Sequence, residues 1–277
     1  MTEFQEKVLK LIEEGKSPSE IKRLLNCPRT SIASVLKTYN VPIEKRNYLH
    51  KKCKEDYFDI IDADEKAYIL GFFIADGTID SFTNRMGISI QSSDKEVLDL
   101  IKFELNISNN IVISNKHPEL RKEQAQLRWS SKHMVNTLKR YNILPRKTYD
   151  SEFIFPFDKI PEQFYRSFIR GFIDGDGSYE FNGKGIFTIR LVSTSRSFLD
   201  QIGNIISSNI EGMGYCLEYH KGKTIDWYTL RFQTYGIDKP NKILKLYKFL
   251  YQDSKFSFKR KKDKMESYLK YLGKLEN

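Results

Sequence analysis

The sequence of 277 residues has few cysteines, few histidines and no long apolar run, and each shortage excludes a class of protein. No stretch approaches the ~20 consecutive apolar residues that a membrane-spanning helix needs, so we expect no membrane partner. The start of the chain lacks the charged and apolar regions of a signal peptide. Cys27, Cys53 and Cys216 form no CxxC pair, and the four histidines are too scattered for a zinc site. We therefore expect a protein of a reducing compartment, either the cytoplasm of a bacterial or phage-host cell or an organelle.

Positive charge is abundant, and it is concentrated at the two ends of the chain. The net charge is +10, of which residues 1–54 contribute +6 and residues 255–277 contribute +5. Basic ends around a nearly neutral centre suit a polyanion that is held at its flanks. Nucleic acid is therefore the expected partner, although excess lysine also serves solubility.

The first forty residues have the apolar spacing of three short amphipathic helices. Ser17 is a candidate N-cap of the second helix, with Pro18 at its first helical position. The arrangement resembles a helix-turn-helix DNA-binding domain, which we assign to residues 1–44, followed by a basic linker over residues 45–63. The alternative is a three-helix cap or a dimerisation module. The side chains expected to contact DNA are Arg29, Thr30, Ser31, Ser34 and Lys37.

An internal repeat divides the rest of the chain into two copies. Three blocks recur in one order at offsets of about 100 residues, which indicates a duplicated unit. We assign the first copy to residues 64–152 and the second to residues 153–277, which also carries a basic C-terminal helix. The matching blocks are 66–79 with 166–179, 88–101 with 189–202, and 127–129 with 230–232.

Each copy has the pattern helix, strand, strand, helix, strand, strand, helix, which predicts an α+β fold. Apolar and polar residues alternate along the strands, so one sheet face should pack under helices. The other face is polar and basic, and it is either solvated or a docking surface. Arg128 and Arg231 should take equivalent positions in the two copies. The side chains expected on the polar faces are Ser89, Gln91, Gln126, Arg128, Arg190, Thr229, Arg231 and Gln233.

The first helix of each copy carries a row of small residues that ends at an acid. Because a spacing of four places residues in one row along a helix, we expect the two helices to pack closely along these rows. Asp76 and Asp176 follow the rows directly, so this packing would bring two carboxylates together. One isolated copy would indicate no more than a helix-ending turn. The rows are Ala67, Gly71 and Ala75, and Ser167, Gly171 and Gly175.

Two adjacent carboxylates repel each other unless a cation lies with them. Hard oxygen ligands with room for water suit Mg²⁺, or another divalent cation. Metal ions between paired acids, beside a basic sheet face, are suited to phosphodiester hydrolysis.

Residues 69–77 (ILGFFIADG) and 169–177 (IRGFIDGDG) resemble the LAGLIDADG motif of homing endonucleases, at four and five of nine positions. The resemblance covers about residues 64–277 and is to the monomeric, two-motif form. It implies two pseudo-symmetric αββαββα halves that form a saddle over double-stranded DNA. It also implies metal-dependent cleavage of both strands at a long recognition site, as in intron homing. The implied site residues are the catalytic, metal-binding acids Asp76 and Asp176 and the ligating carbonyls of Ala75 and Gly175.

Members of this family often place a glutamine and a lysine around the attacking water. Gln91 and Lys132 stand at the matching places, where they serve either catalysis or DNA contact alone. In the second copy Val192 stands at the position of Gln91, which predicts unequal cutting of the two half-sites. Other relatives of this fold are non-cutting DNA-binding regulators or intron maturases. Loss of an acid would indicate such a role, and both acids are present.

Overall fold

The computed structural model describes residues 1–14, 16, 18–39, 41, 53–115, 122–144, 150–181, 187–233 and 239–275. The chain divides into two compact units, Met1–His50 and Lys51–Asn277. Within the described ranges, no helix is long and apolar enough to cross a membrane. Cys27, Cys53 and Cys216 are free thiols.

The first unit consists of three helices around a small apolar core. Thr2 caps the first helix, since its side chain accepts a hydrogen bond from the Gln5 amide and its own amide is bound by the Gln5 side chain. Ser17, the candidate cap of the second helix, lies outside the described residues. The helices are α1 (Glu3–Glu13), α2 (Pro18–Leu24) and α3 (Arg29–Thr38). Their fully buried core residues are Val8, Ile21, Ile32, Val35 and Leu36.

The second unit contains the two αββαββα halves that the sequence predicts. Each half has one antiparallel four-stranded sheet, with strand order β1-β2-β4-β3 in the first and β5-β6-β8-β7 in the second. The elements of the first half are α4 (Asp64–Asp76), β1 (Gly77–Asp80), β2 (Arg85–Gln91), α5 (Glu96–Glu104), β3 (Val112–Ser114), β4 (Gln124–Ser130) and α6 (Lys132–Arg140). Those of the second half are α7 (Tyr165–Asp176), β5 (Ser178–Phe181), β6 (Phe187–Ser193), α8 (Arg196–Asn209), β7 (Gly214–His220), β8 (Trp227–Gln233) and α9 (Lys239–Tyr251). One further helix, α10 (Lys259–Tyr271), follows the second half.

Residues 53–63 belong to the second unit, although the sequence predicts a linker over 45–63. Tyr57, Phe58 and Ile61 are buried in its core. The basic residues before them are typical of a solvent-exposed linker. The three apolar side chains, however, are stabilised by burial in the core of the second unit. The linker therefore ends earlier than the sequence predicts.

The strands alternate as expected in the first half. Ile88, Ile90, Leu127 and Trp129 are buried under the helices, while Ser89, Gln91 and Arg128 of the same two strands are exposed. This is the period-2 pattern of a sheet with one covered face. The polar face of the first sheet is therefore available at the surface of the unit.

Helices α4 and α7 pack together through the predicted rows of small residues. A Cβ added to Gly71 would overlap the carbonyl oxygen of Phe168, and one added to Gly171 would overlap that of Tyr68. Because neither position has room for a side chain, the two helix backbones are in direct contact. This contact joins the two halves of the unit and aligns the ends of both helices.

Candidate active site

Asp76 and Asp176 are the last residues of helices α4 and α7. Each is followed by a glycine in extended conformation, Gly77 with φ −76° and ψ 148° and Gly177 with φ −71° and ψ 145°. The chain then enters the first strand of its half. The two carboxylates therefore lie at equivalent junctions between helix and sheet.

The close packing of α4 and α7 extends to these helix ends. A Cβ added to Gly175 would overlap the Cβ of Ala75 and would lie 3.2 Å from Asp76 Oδ2. Asp176 and Ala75, the residue before Asp76, line one pocket. Asp76 is partly buried and Asp176 is exposed. The structure thus brings together the two acids that the repeat singles out.

A third carboxylate, Asp174, is buried directly behind this pair. It accepts hydrogen bonds from the Tyr68 hydroxyl at 3.0 Å, the Tyr251 hydroxyl at 2.9 Å and the Phe258 amide at 2.7 Å. Burial raises the pKa of Asp174 to about 6, and these donors together with Lys261 oppose that rise. Through the Phe258 amide, Asp174 therefore anchors the segment before α10 to the end of α7.

Lys261, from α10, binds the end of α7. Its Nζ donates to the carbonyl oxygens of Ile173 at 2.8 Å, Asp174 at 2.6 Å and Gly175 at 3.1 Å. Burial lowers the pKa of Lys261 to about 8, and the carboxylates of Asp174 and the two motif acids oppose that fall. Sequence reasoning missed Lys261 because it is one of several basic residues in a row, with no pattern to distinguish it.

The matching family model fits this arrangement. The model of the LAGLIDADG-like domain matches residues 63–142 and 163–232, which is more than half of the chain. This chain belongs to the LAGLIDADG family. The two matched segments each contain one of the acids at the contact between α4 and α7.

Individual relatives of this LAGLIDADG protein are distant. The uncharacterized protein MJ0314 of Methanocaldococcus jannaschii is 24% identical over 203 residues, which are 70% of this chain and 73% of the relative. Mesophilic variants of the homing endonuclease I-DmoI are 17% identical with a TM-score of 0.43, over 66% of this chain and 94% of theirs. The homing endonuclease I-WcaI, bound to its DNA recognition sequence, is 11% identical with a TM-score of 0.49, over 75% of this chain and 90% of its own.

The residues at the two helix ends have the donor chemistry of a site for a hard divalent cation. Asp76 and Asp176 supply carboxylate oxygens, and Gly175, which is close to Asp76 and precedes Asp176 in the chain, supplies a carbonyl that accepts a hydrogen bond from Lys261. A carbonyl oxygen has two lone pairs, so its hydrogen bond from Lys261 leaves one for a further partner. Among the described residues, no group of three or more His, Cys, Asp or Glu side chains is placed to hold a metal ion, so a cation here would depend on the two carboxylates and on backbone carbonyls.

Gln91 and Lys132 lie at opposite ends of the first sheet. Gly77 pairs with Ile88, and β2 continues from there to Gln91, so Gln91 is at the end of the sheet where α4 finishes. Lys132 follows Ser130, which pairs with Arg85 at the hairpin end. Arg85 and Gln91 are each three residues, or ~10 Å, from Ile88, but Asp76 precedes Gly77 and therefore lies on the Gln91 side of this pair. This placement supports a site role for Gln91 and argues against a catalytic role for Lys132.

The second half differs from the alignment of the sequence blocks. Thr78 pairs with Gly87, and Ser178, the counterpart of Thr78, pairs with Arg190. Gly87 of β2 is therefore equivalent to Arg190 of β6, which is two residues further along the chain than the sequence blocks indicate. The cause is a longer hairpin between β5 and β6. Val192 therefore corresponds to Ser89 and not to Gln91, and the counterpart of Gln91 is Thr194, which lines the pocket beside Asp176.

The register confirms that Arg128 and Arg231 are structurally equivalent. Arg128 pairs with Gly87, and Arg231 pairs with Arg190 at the corresponding place. Arg128 is exposed, and on the same face the amide of Gln126 donates to the Ser89 hydroxyl at 3.2 Å. These side chains form a polar surface on the first sheet.

The face of the second sheet is polar but not basic, which corrects the prediction. Arg190 forms an ion pair with Glu180 at 2.7 Å, and Arg231 forms one with Glu218. The two glutamates balance the two arginines on this face. Thr229 is buried and its hydroxyl is hydrogen bonded to His220, so it does not project toward a ligand. The side chain of Gln233 lies outside the described part of the chain.

In the first unit, the residues predicted to contact DNA lie on helix α3. The apolar residues of this helix are buried against α1 and α2, and the predicted residues occupy its other side. Arg29, Thr30, Ser34 and Lys37 are exposed, and Ser31 is partly exposed. A role of α3 in binding DNA stays a prediction.

Proposed function

We propose that this LAGLIDADG protein is a site-specific DNA endonuclease that makes metal-dependent double-strand breaks at a long recognition site. The observation that carries the proposal is the meeting of Asp76 and Asp176 at the ends of two helices in backbone contact. Each acid is joined directly to the first strand of its own sheet. A duplex lying across both polar faces would then have one strand near each acid.

Two acids, two backbone carbonyls and one glutamine would form the proposed catalytic centre. Asp76 and Asp176, with the carbonyls of Ala75 and Gly175, would hold Mg²⁺ or another divalent cation, which when bound offsets negative charge at the scissile phosphodiester. The side-chain amide of Gln91 would orient the attacking water or a phosphate oxygen. Because Thr194 replaces this amide in the second half, the two strands should be cut at unequal rates.

Recognition would come from the two sheets and from the first unit. The exposed Ser89, Gln126 and Arg128 would read one half-site, and Arg190 and Arg231 the other. The helices of residues 1–44 would act as a tethered helix-turn-helix module. Since both acids belong to one chain, a monomer suffices for double-strand cleavage.

Selection from duplexes with a randomised segment tests this function and lets the protein itself define its target. The protein is incubated with the library in Mg²⁺, Ca²⁺ or EDTA, and cut and bound molecules are sequenced separately. We expect cut ends at one defined site, in Mg²⁺ only. Asp76→Asn and Asp176→Asn should each abolish double-strand cleavage and leave binding to the selected site nearly intact.

Asp99→Asn is the matched control, because Asp99 is an exposed acid on α5 with an ion pair to Lys95. It should cut at the wild-type rate. Full double-strand cutting by either acid variant would contradict the proposed site. Binding without cutting by the wild-type protein would indicate the alternative, a DNA-binding regulator or intron maturase of the same fold.

A further inference from the structure

Helix α10 lies outside both repeats, yet it brings a cation to the proposed catalytic centre. Lys261 is only 6% exposed, and its Nζ bonds to three successive carbonyls at the end of α7. These carbonyls form the negative end of the helix dipole. One of them belongs to Gly175, which lies next to Asp76 Oδ2 and Asp176 in the proposed site.

The charged groups that face Lys261 come from three helices. Asp76 lies at the end of α4, Asp174 and Asp176 at the end of α7, and Arg260 on α10 itself. Arg260 is turned toward Asp94, with which it forms an ion pair at 3.4 Å. Lys261 is thus a buried cation among three carboxylates.

The folding of α7 does not by itself account for this lysine. Helices α4 and α7 end with nearly the same backbone angles, although the position of Asp174 is occupied by Ile74 in α4. Removing a lysine ammonium from water is costly, and an apolar side chain of similar volume fills such a place at lower cost. The charge of Lys261 is offset first by the buried Asp174 and also by Asp76 and Asp176 of the proposed centre.

We propose that Lys261 is a positioning residue of the nuclease centre, which fixes the Gly175 carbonyl and offsets the charge of Asp76 and Asp176. The inference rests on the proposed function. Its consequence is that Lys261 weakens the binding of a divalent cation in the absence of DNA. The centre would then fill fully only when the phosphates of a bound duplex add their negative charge.

The test is a titration of the full-length protein with Mn²⁺ without DNA, followed by the electron paramagnetic resonance signal of free Mn²⁺. Lys261→Met removes the charge and keeps the length of the side chain. It should bind Mn²⁺ about tenfold more tightly than the wild type, because one positive charge near the ion is lost. Lys261→Arg should retain the wild-type affinity.

Lys264→Met is the matched control, since Lys264 is an exposed lysine on the same helix and its loss changes the net charge equally. It should leave Mn²⁺ affinity unchanged. If thermal unfolding shows that Lys261→Met does not fold, Lys261→Gln replaces it, because an amide still donates to the carbonyls without charge.

The outcomes separate this inference from the nuclease proposal. Wild-type Mn²⁺ binding that is lost in Asp76→Asn, and unchanged in folded Lys261→Met or Lys261→Gln, would overturn the role of Lys261 alone. Lys261 would then be a structural cap of α7. Absence of Mn²⁺ binding by the wild-type protein, with or without a selected duplex, would overturn both.

Discussion

Asp59 shows how one side chain fixes the boundary of a domain. It accepts hydrogen bonds from Thr137 at 2.5 Å and Arg140 at 2.8 Å and lies 2.7 Å from His133 Nε2, all on α6. Burial alone would raise the pKa of Asp59, but these hydrogen bonds and the nearby positive charge hold it below its ordinary value. Residues 53–63 are thereby fastened to the first half.

Replacing this carboxylate should destabilise the protein in a pH-dependent way. Asp59→Asn should lower the free energy of unfolding by about 1–2 kcal/mol at pH 7, because a charged acceptor with three partners is lost. A depressed pKa contributes stability above the unfolded-state value near 3.8, and this contribution is lost as pH falls through the folded-state pKa. The difference between variant and wild type in urea unfolding should therefore shrink between pH 5 and pH 3.

Asp99→Asn is again the control, because its exposed ion pair with Lys95 should contribute little at any pH. A difference between Asp59→Asn and the wild type that stays constant down to pH 3 would contradict the assigned cause.

At the scale of elements, the contact between α4 and α7 positions the acids. The backbones touch at Gly71 and Gly171, and this contact sets the spacing of the two helix ends. Any side chain at these positions must push the helices apart. The acids would move with the helices, so stability and the proposed cleavage would depend on the same two glycines.

Gly171→Ala should lower the free energy of unfolding by about 3 kcal/mol, because the added methyl group would overlap the Tyr68 carbonyl. Gly203→Ala in α8 is the matched control. Its methyl group would meet the ring of Tyr215 at 2.8 Å, and a ring can turn aside more easily than a backbone. Urea unfolding should show the larger loss for Gly171→Ala, and equal losses would contradict the role of the backbone contact.

Much of the architecture could be predicted from the sequence, because it follows from the regular spacing of apolar, polar and small residues. The repeat, the alternation along β2 and β4, and the row from Ala67 to Ala75 each follow from short-range spacing. Contacts that depend on the register between strands, or on segments distant in the sequence, could not be predicted. The position of Lys132 is set by strand pairing, and that of Val192 by a longer hairpin. Lys261 meets Asp174 from 87 residues away, and no local pattern encodes that contact.

At the scale of the whole molecule, the second unit contains all of the proposed nuclease centre and the first unit contains none of it. The described residues of the first unit form their own core around the buried Val8, Ile21, Ile32, Val35 and Leu36. The division suggests that binding and cleavage can be separated by cutting the chain between the units.

Deletion of residues 1–50 should leave a folded, Mg²⁺-dependent nuclease that binds DNA more weakly. A tethered second module raises affinity through effective concentration, and its basic residues contribute to counterion release. The truncated protein should lose protection on one flank of the footprint and show a shallower salt dependence. Arg29→Ala with Lys37→Ala in the full chain is the control that keeps the first unit folded. If affinity, footprint and salt dependence are all unchanged, the first unit is a cap or a partner-binding module.

The direct contact of α4 with α7 also has a consequence during synthesis on the ribosome. Ile69, Leu70, Phe72 and Phe73 of α4 are buried, and α4 packs backbone to backbone against α7, about 100 residues later in the chain. At roughly 5–20 residues per second, the nascent first half waits about 5–20 s for this cover. During that interval the apolar surface of α4 is exposed and can bind chaperones. The nascent chain then contains Asp76 but not Asp176. An incomplete chain therefore exposes apolar surface and, under the proposed function, would be unable to cut both strands.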